Sequence, residues 1–312
     1  MVRSQGTVFR ENSTKCAKAC RSKVVIFCLN ESTALFSYGI STPCFLMKQK
    51  TTDMVSQEAR LLLYHYKLLT EKLPQFAQHI GKEPPMDLVQ GTHKSAEECV
   101  RLLNLGVDHD EAQFNHTHVM DALSCICSLV NDLRLIAEHA LTELVKLCTL
   151  LLGFATILPT VLRQFSWPEL CIALGLKISA ITRDSDTRFG RLPCLMEILG
   201  LVHFMSALPL THQAIVSSPL ILSMTQFLSG SDGVTQMWSA ASVPVNSLRH
   251  RCLMSLKLVL TGPNKDILLC SNDTLSEIVK SSAYVLEGAN ISVRCSCVEV
   301  LEAITQTIDV DT

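Results

Sequence analysis

The chain has 312 residues, 48% of them apolar, 18% charged and 5% aromatic, a composition that excludes intrinsic disorder and leaves room for one elongated domain or two compact ones. The net charge of -2 is unevenly spread: residues 1–50 hold eight Lys and Arg against Glu11 and Glu31, a net of +6, which leaves -8 on residues 51–312. A mildly acidic body with few aromatic side chains offers neither the concentrated basic face nor the stacking surface that nucleic acids require, so no direct nucleic-acid binding is expected of it.

Residues 1–50 show no sustained helical period and read as a poorly ordered basic leader. Their basic, acid-poor character also fits a mitochondrial presequence, although no amphipathic helix opens them. The apolar run Val24–Leu29 is too short for a signal h-region. Without a secretory signal, the fourteen cysteines read as reduced thiols rather than a disulfide framework, and the chain as intracellular. The N-x-S/T sequons at Asn12, Asn30, Asn115, Asn272 and Asn290 are then expected to carry no glycan.

From Asp53 onward, apolar residues recur at helical spacing between Pro and Gly punctuation, and no alternating β pattern interrupts them. The expected class is all-α, with residues 51–312 as one helical domain. Helices are predicted over Asp53–Leu73, Ser95–Leu105, His116–Val130, Asp132–Ile157, Trp167–Thr182, Pro193–Leu208, Thr211–Leu228, Ser247–Leu260, Thr274–Leu286 and Ser292–Ile308. Ser95, Ser166 and Asp273 mark starts, and Gly262-Pro263 and Gly288 mark ends.

Leu147–Leu162 has no charge between Lys146 and Arg163. It is 16 residues long and contains Pro159, against about 20 for a membrane span. A buried core helix is the expected reading, and a membrane-associated protein using residues 147–162 is the alternative. Candidate partner-binding loops lie at Arg183–Arg191 and Ser229–Val234 on one rim.

Two strings 45 residues apart, "SLRHRCLMSL" from Ser247 and "SVRCSCVEVL" from Ser292, share the pattern S-[LV]-R-x-x-C-x-x-x-L. Arg191 with Cys194 and Arg134 with Ala137 echo it, at arginine offsets of 57, 58 and 45 residues. At 100° per residue, Val293, Cys297, Val300 and Ile304 share one stripe, so Cys297, and Cys252 with it, reads as a small packing residue. Arg249 and Arg294 are expected to hydrogen-bond neighbouring repeats.

This pattern resembles the second helix of armadillo and HEAT repeats, whose period is about 40–47 residues. The resemblance implies an irregular α-solenoid that acts as a non-catalytic scaffold for protein partners, bound through the solenoid surface or rim loops. The strings "SLRHRCLMSLKLVL" and "NISVRCSCVEVLEAI", with the aliphatic, Cys-rich texture around them, also resemble a vertebrate meiosis inhibitor family. That likeness implies a nuclear role in forming meiotic double-strand breaks and in chromosome synapsis, with this chain a partial or alternative form. A general cytoplasmic adaptor is the alternative.

Chemistry has few candidates. C-x-C occurs at Cys125–Cys127 and Cys295–Cys297, but on a helix the two thiols point about 200° apart. His118, Asp121 and Cys125 are expected on one polar helix face, with His109 and His116 upstream; their atom types suit zinc, but their spacing is not a zinc spacing. No G-x-S-x-G, H-E-x-x-H, G-x-G-x-x-G or P-loop string occurs. No catalytic, cofactor-binding or metal-ligating residue is therefore assigned, and no cofactor is expected.

Overall fold

A computed structural model describes residues 52–105, 107, 116–131, 138–157, 163–183, 191–230, 242–263, 265, 268 and 271–308. The basic leader at residues 1–50 and most of both predicted rim loops lie outside the described residues. Among those described, every element is helical: α1 (Thr52–Lys72), a 3-10 segment (Leu73–His79), α2 (Met86–Asn104), α3 (His116–Asn131), α4 (Glu138–Ile157), α5 (Trp167–Arg183), α6 (Arg191–Ser206), a 3-10 turn (Pro209–Thr211), α7 (His212–Val216), α8 (Leu220–Ser229), α9 (Ser242–Leu260), α10 (Asn272–Gly288) and α11 (Ile291–Ile308). The all-α expectation holds.

The helices form two rows. In one, α2 packs on α4, α4 on α6, α6 on α9 and α9 on α11; in the other, the segment Leu73–His79 packs on α3, α3 on α5, α5 on α8 and α8 on α10. Contacts also join α1 to α2 and, between the rows, α3 to α4, α5 to α6 and α10 to α11. Helices of the first row begin at residues 86, 138, 191, 242 and 291, offsets of 52, 53, 51 and 49 residues. The arginine string spaced its copies differently because it sits at different depths: Arg249 is the eighth residue of α9, and Arg294 the fourth of α11.

Amphipathic patterning builds the core between the rows. In α2 the buried residues Leu88, Val89, Thr92, Ser95, Ala96, Cys99 and Leu102 recur at the three- and four-residue spacing that keeps them on one side of a helix. In α4, Leu144, Leu147, Cys148, Leu151, Leu152 and Phe154 are buried, so the stretch up to Phe154 packs inside the protein; the side chains of residues 155–162 lie outside the described set. Among the described residues no single helix is long and apolar enough to cross a membrane; one bent pair, Leu192–Ser206 with Pro209–Val216, passes by length and composition alone.

Two expectations are corrected. Ser95 does not start a helix: α2 begins nine residues earlier, at Met86, and Ser95 is buried mid-helix, with Oγ donating to Gly91 O at 2.9 Å. A serine satisfied by the preceding turn is tolerated inside a helix. Thr211–Leu228, expected as one helix, breaks between Val216 and Leu220. Pro219 cannot donate to Ile215 O, and that carbonyl accepts from Ser218 Oγ at 2.9 Å instead, while Gln213 O keeps its backbone bond from Ser217 N at 3.0 Å and also accepts from Ser217 Oγ at 2.8 Å.

Candidate functional site

The row α2–α4–α6 presents a groove of about 1030 Å³ on its surface, with His65 of α1 also in its wall. Val100, Leu150 and Gly200 give it apolar patches, and His93, Glu97, Lys146 and Glu197 are among its charged or titratable lining. Gly200 lies inside α6, where glycine costs about 1 kcal/mol relative to alanine, and its missing side chain leaves the groove wider.

Lys146 Nζ pairs with Glu143 Oε1 at 2.9 Å. Burial works against its charge, but the hydrogen bond to Glu143 and the fields of Glu143, Glu197 and Glu97 outweigh it and hold the ammonium above its ordinary range. Burial pushes Glu197 above the usual carboxylate range, an effect that Lys146 and Arg251 partly offset. Burial likewise lowers His93, against the pull of Glu143 and Glu97. At the outer edge Arg101 clamps Glu98, its Nε donating to both carboxylate oxygens at 3.0 and 2.9 Å. That hydrogen-bonded clamp holds Glu98 below its ordinary range.

Polar contacts continue along the same row beyond the groove. Arg251 Nη1 donates to Met196 O at 3.3 Å, and Ser255 Oγ lies 3.4 Å from His203 Nδ1. Further on, His250 Nδ1 and Ser296 Oγ are hydrogen-bonded at 2.7 Å, and Lys257 pairs with Glu299 at 2.8 Å. Polar and charged side chains therefore bridge successive helices of this row as far as α11.

The candidates singled out from the sequence lie elsewhere. Cys125 does not share a polar face with His118 and Asp121: it is buried, while those two are only half-buried. The reason is that α3 is packed by Leu73–His79, by α5 and by α4, which leaves little of its circumference exposed. His109 lies outside the described residues, as does the side chain of His116. Among the described residues no group of three or more His, Cys, Asp or Glu is placed to hold a metal. Cys127, like Cys125, is buried, whereas Cys295 is exposed and Cys297 buried. Arg294 Nε donates to Ala289 O at 2.8 Å, in the turn before its own helix rather than to a neighbouring pair; Arg251 makes the cross-pair bond instead.

Glu197 and Lys146 were not singled out from the sequence, although each carried a readable signal. Glu197 is the only charge between Arg191 and His203 in an otherwise apolar helix, and Lys146 interrupts "ELVKLCTLLL". A lone charge in such a helix marks the side that faces away from the core. No protein-family model, curated protein or solved structure matches the chain.

Proposed function

We propose that the protein is a non-catalytic α-solenoid scaffold of armadillo or HEAT type that binds protein partners along the row α2–α4–α6–α9–α11. The observation that carries this reading is the two-row packing, in which each helix stacks on the next of its row, together with the mixed-charge groove across three helices of one row. An array built by nearest-neighbour stacking offers a long continuous surface rather than an enclosed pocket, which suits protein ligands better than small substrates. The proposed setting is nuclear, in meiotic break formation and synapsis, on the likeness of Ser247–Leu260 and Asn290–Ile304 to vertebrate meiosis inhibitor protein 1; a cytoplasmic adaptor is the competing setting.

The test is quantitative mass spectrometry of proteins retained by the tagged chain from germ-cell nuclear extract and from liver extract, beside the groove variant Lys146→Glu/Glu197→Lys. Retention of chromosome-axis or break-forming proteins by the wild type, lost in the variant, supports both scaffold and setting. An unrelated set retained from both extracts removes the meiotic setting. No specific retention from either overturns the scaffold reading.

A further inference from the structure

The sides of α11 have different surroundings. Ser296 and Glu299 turn toward α9, bonded to His250 and Lys257, and Val293, Cys297, Val300 and Ile304 are buried in the core. The remaining stripe, Ile291, Arg294, Cys295, Val298, Glu302 and Thr305, is exposed, with Ile291 82% and Val298 44% accessible. Steps of three and four residues keep these side chains on one side of the helix.

The charges on the stripe are arranged symmetrically. Arg294 lies four residues before Val298 and Glu302 four residues after it. Arg294 uses its Nε on Ala289 O, and neither Arg294 nor Glu302 joins any of the ion pairs formed among the described residues.

We propose that this stripe binds a second copy of the chain, with the two α11 helices antiparallel about a two-fold axis at Val298. In that register Val298 meets Val298, Cys295 meets Leu301, and Arg294 of each copy meets Glu302 of the other. The surface is thus complementary to itself, as an isologous contact requires. A parallel pairing would set Arg294 against Arg294 and Glu302 against Glu302, and like charges oppose association. The contact continues, across copies, the side-by-side stacking that joins α9 to α11 within one chain. It leaves the groove on α2, α4 and α6 open, so the dimer does not occlude that part of the proposed partner surface.

Sedimentation equilibrium of the full 312-residue chain tests this on the wild type and on Val298→Glu, Arg294→Glu, Glu302→Arg and the double reversal Arg294→Glu/Glu302→Arg. A monomer–dimer equilibrium is expected for the wild type, with a Kd raised about tenfold or more by Val298→Glu. Each single reversal should weaken the dimer, and the double reversal should restore it to within about threefold of wild type, because the pair is re-formed with its signs exchanged. Recovery of that kind cannot come from misfolding, and unchanged circular dichroism checks Val298→Glu. A wild type that stays monomeric through the micromolar range overturns the proposal, as does a dimer indifferent to Val298→Glu or a double reversal no tighter than the single ones.

Discussion

The imidazole of His212 lies directly over the α-carbon of Gly262, so close that a β-carbon added at Gly262 would collide with Nδ1 and Cε1. His212 is buried, and its Nε2 is held by Ser206 O at 2.7 Å, so the ring cannot swing away without losing that bond. The turn after α9 is thereby locked against the start of α7. Gly262→Ala is expected to lower stability by about 1–3 kcal/mol through overpacking, read as a drop in urea midpoint at constant m-value. In a His212→Ala background the same substitution should cost far less, because the collision is gone; an equal cost in both backgrounds refutes the contact.

A second close approach joins α5 to α8. A β-carbon on Gly175 would sit 3.1 Å from Leu220 Cα and 3.3 Å from Ser223 Oγ, and one turn on, Ser179 Oγ donates to Ser223 Oγ at 2.9 Å. The two nearest atoms, Leu220 Cα and N, are backbone and cannot yield cheaply. Gly175→Ala should come out near neutral, its gain in helix propensity of about 1 kcal/mol offset by the contact, whereas Gly175→Val should cost about 2 kcal/mol or more. Thermal unfolding of the two variants separates these outcomes.

Much of this architecture was legible because it rests on periodicity. The apolar spacing of α3, α5 and α11 gave boundaries within a residue or two of those observed, and the stripe through Val293, Cys297 and Val300 is buried as expected. The errors arose where local signals conflict. Ser95 looks like a cap because acidic residues follow it, yet the segment from Met86 has the same apolar period and continues through it. Pro219 was overridden by the apolar residues on either side, although it removes a donor the helix needs. Lys146 and Glu197 are each legible as lone charges in apolar helices, but the groove they share with Glu97 is not, since the three lie far apart in sequence and meet only through the stacking of α2, α4 and α6.

Acid should weaken the fold through His203. Burial, aided by Arg251 and His250, holds its imidazole down at about 4, whereas in the unfolded chain it titrates near 6.5. Between those values the unfolded chain takes up a proton the native state refuses, so stability is full above pH 6.5 and is lost as pH falls toward 4, by on the order of 3 kcal/mol at most. His65 and His93, also lowered by burial, add to the loss. Glu197, raised by burial, acts in the opposite sense: its contribution is present at low pH and lost as pH rises through its folded value. Urea titrations at pH 7 and pH 5 should therefore show a smaller decline for His203→Gln than for wild type, and a larger one for Glu197→Gln.

Cysteine reactivity should divide along burial. The thiols of Cys99, Cys127 and Cys171 are pushed up to about 12 by burial, and an increase of three pH units leaves on the order of a thousandfold less reactive thiolate. Cys295 is exposed. Brief alkylation of the native protein, followed by peptide mass spectrometry, should label Cys295 and spare Cys99, Cys127 and Cys171 until denaturant is added; early labelling of Cys127 would mean that α3 opens far more readily than its packing implies.

The cysteine common to the two similar strings is a packing residue, and its substitutions should follow volume rather than chemistry. Cys252 is fully buried on α9, with Sγ 3.7 Å from Met224 O of α8, a contact that joins the two rows. Cys252→Ala removes one sulfur and should cost about 1 kcal/mol, the scale of a small cavity. Cys252→Leu adds bulk where two helices approach closely and should cost about 1–3 kcal/mol. Cys252→Ser keeps the size but buries a hydroxyl, which can donate to Met224 O or to a carbonyl of the preceding turn, and should fall between the two. Thermal unfolding of the three ranks them: Ala least harmful and Leu most supports the packing role, whereas Ser least harmful would point to a polar surrounding that the buried neighbours of Cys252 do not provide.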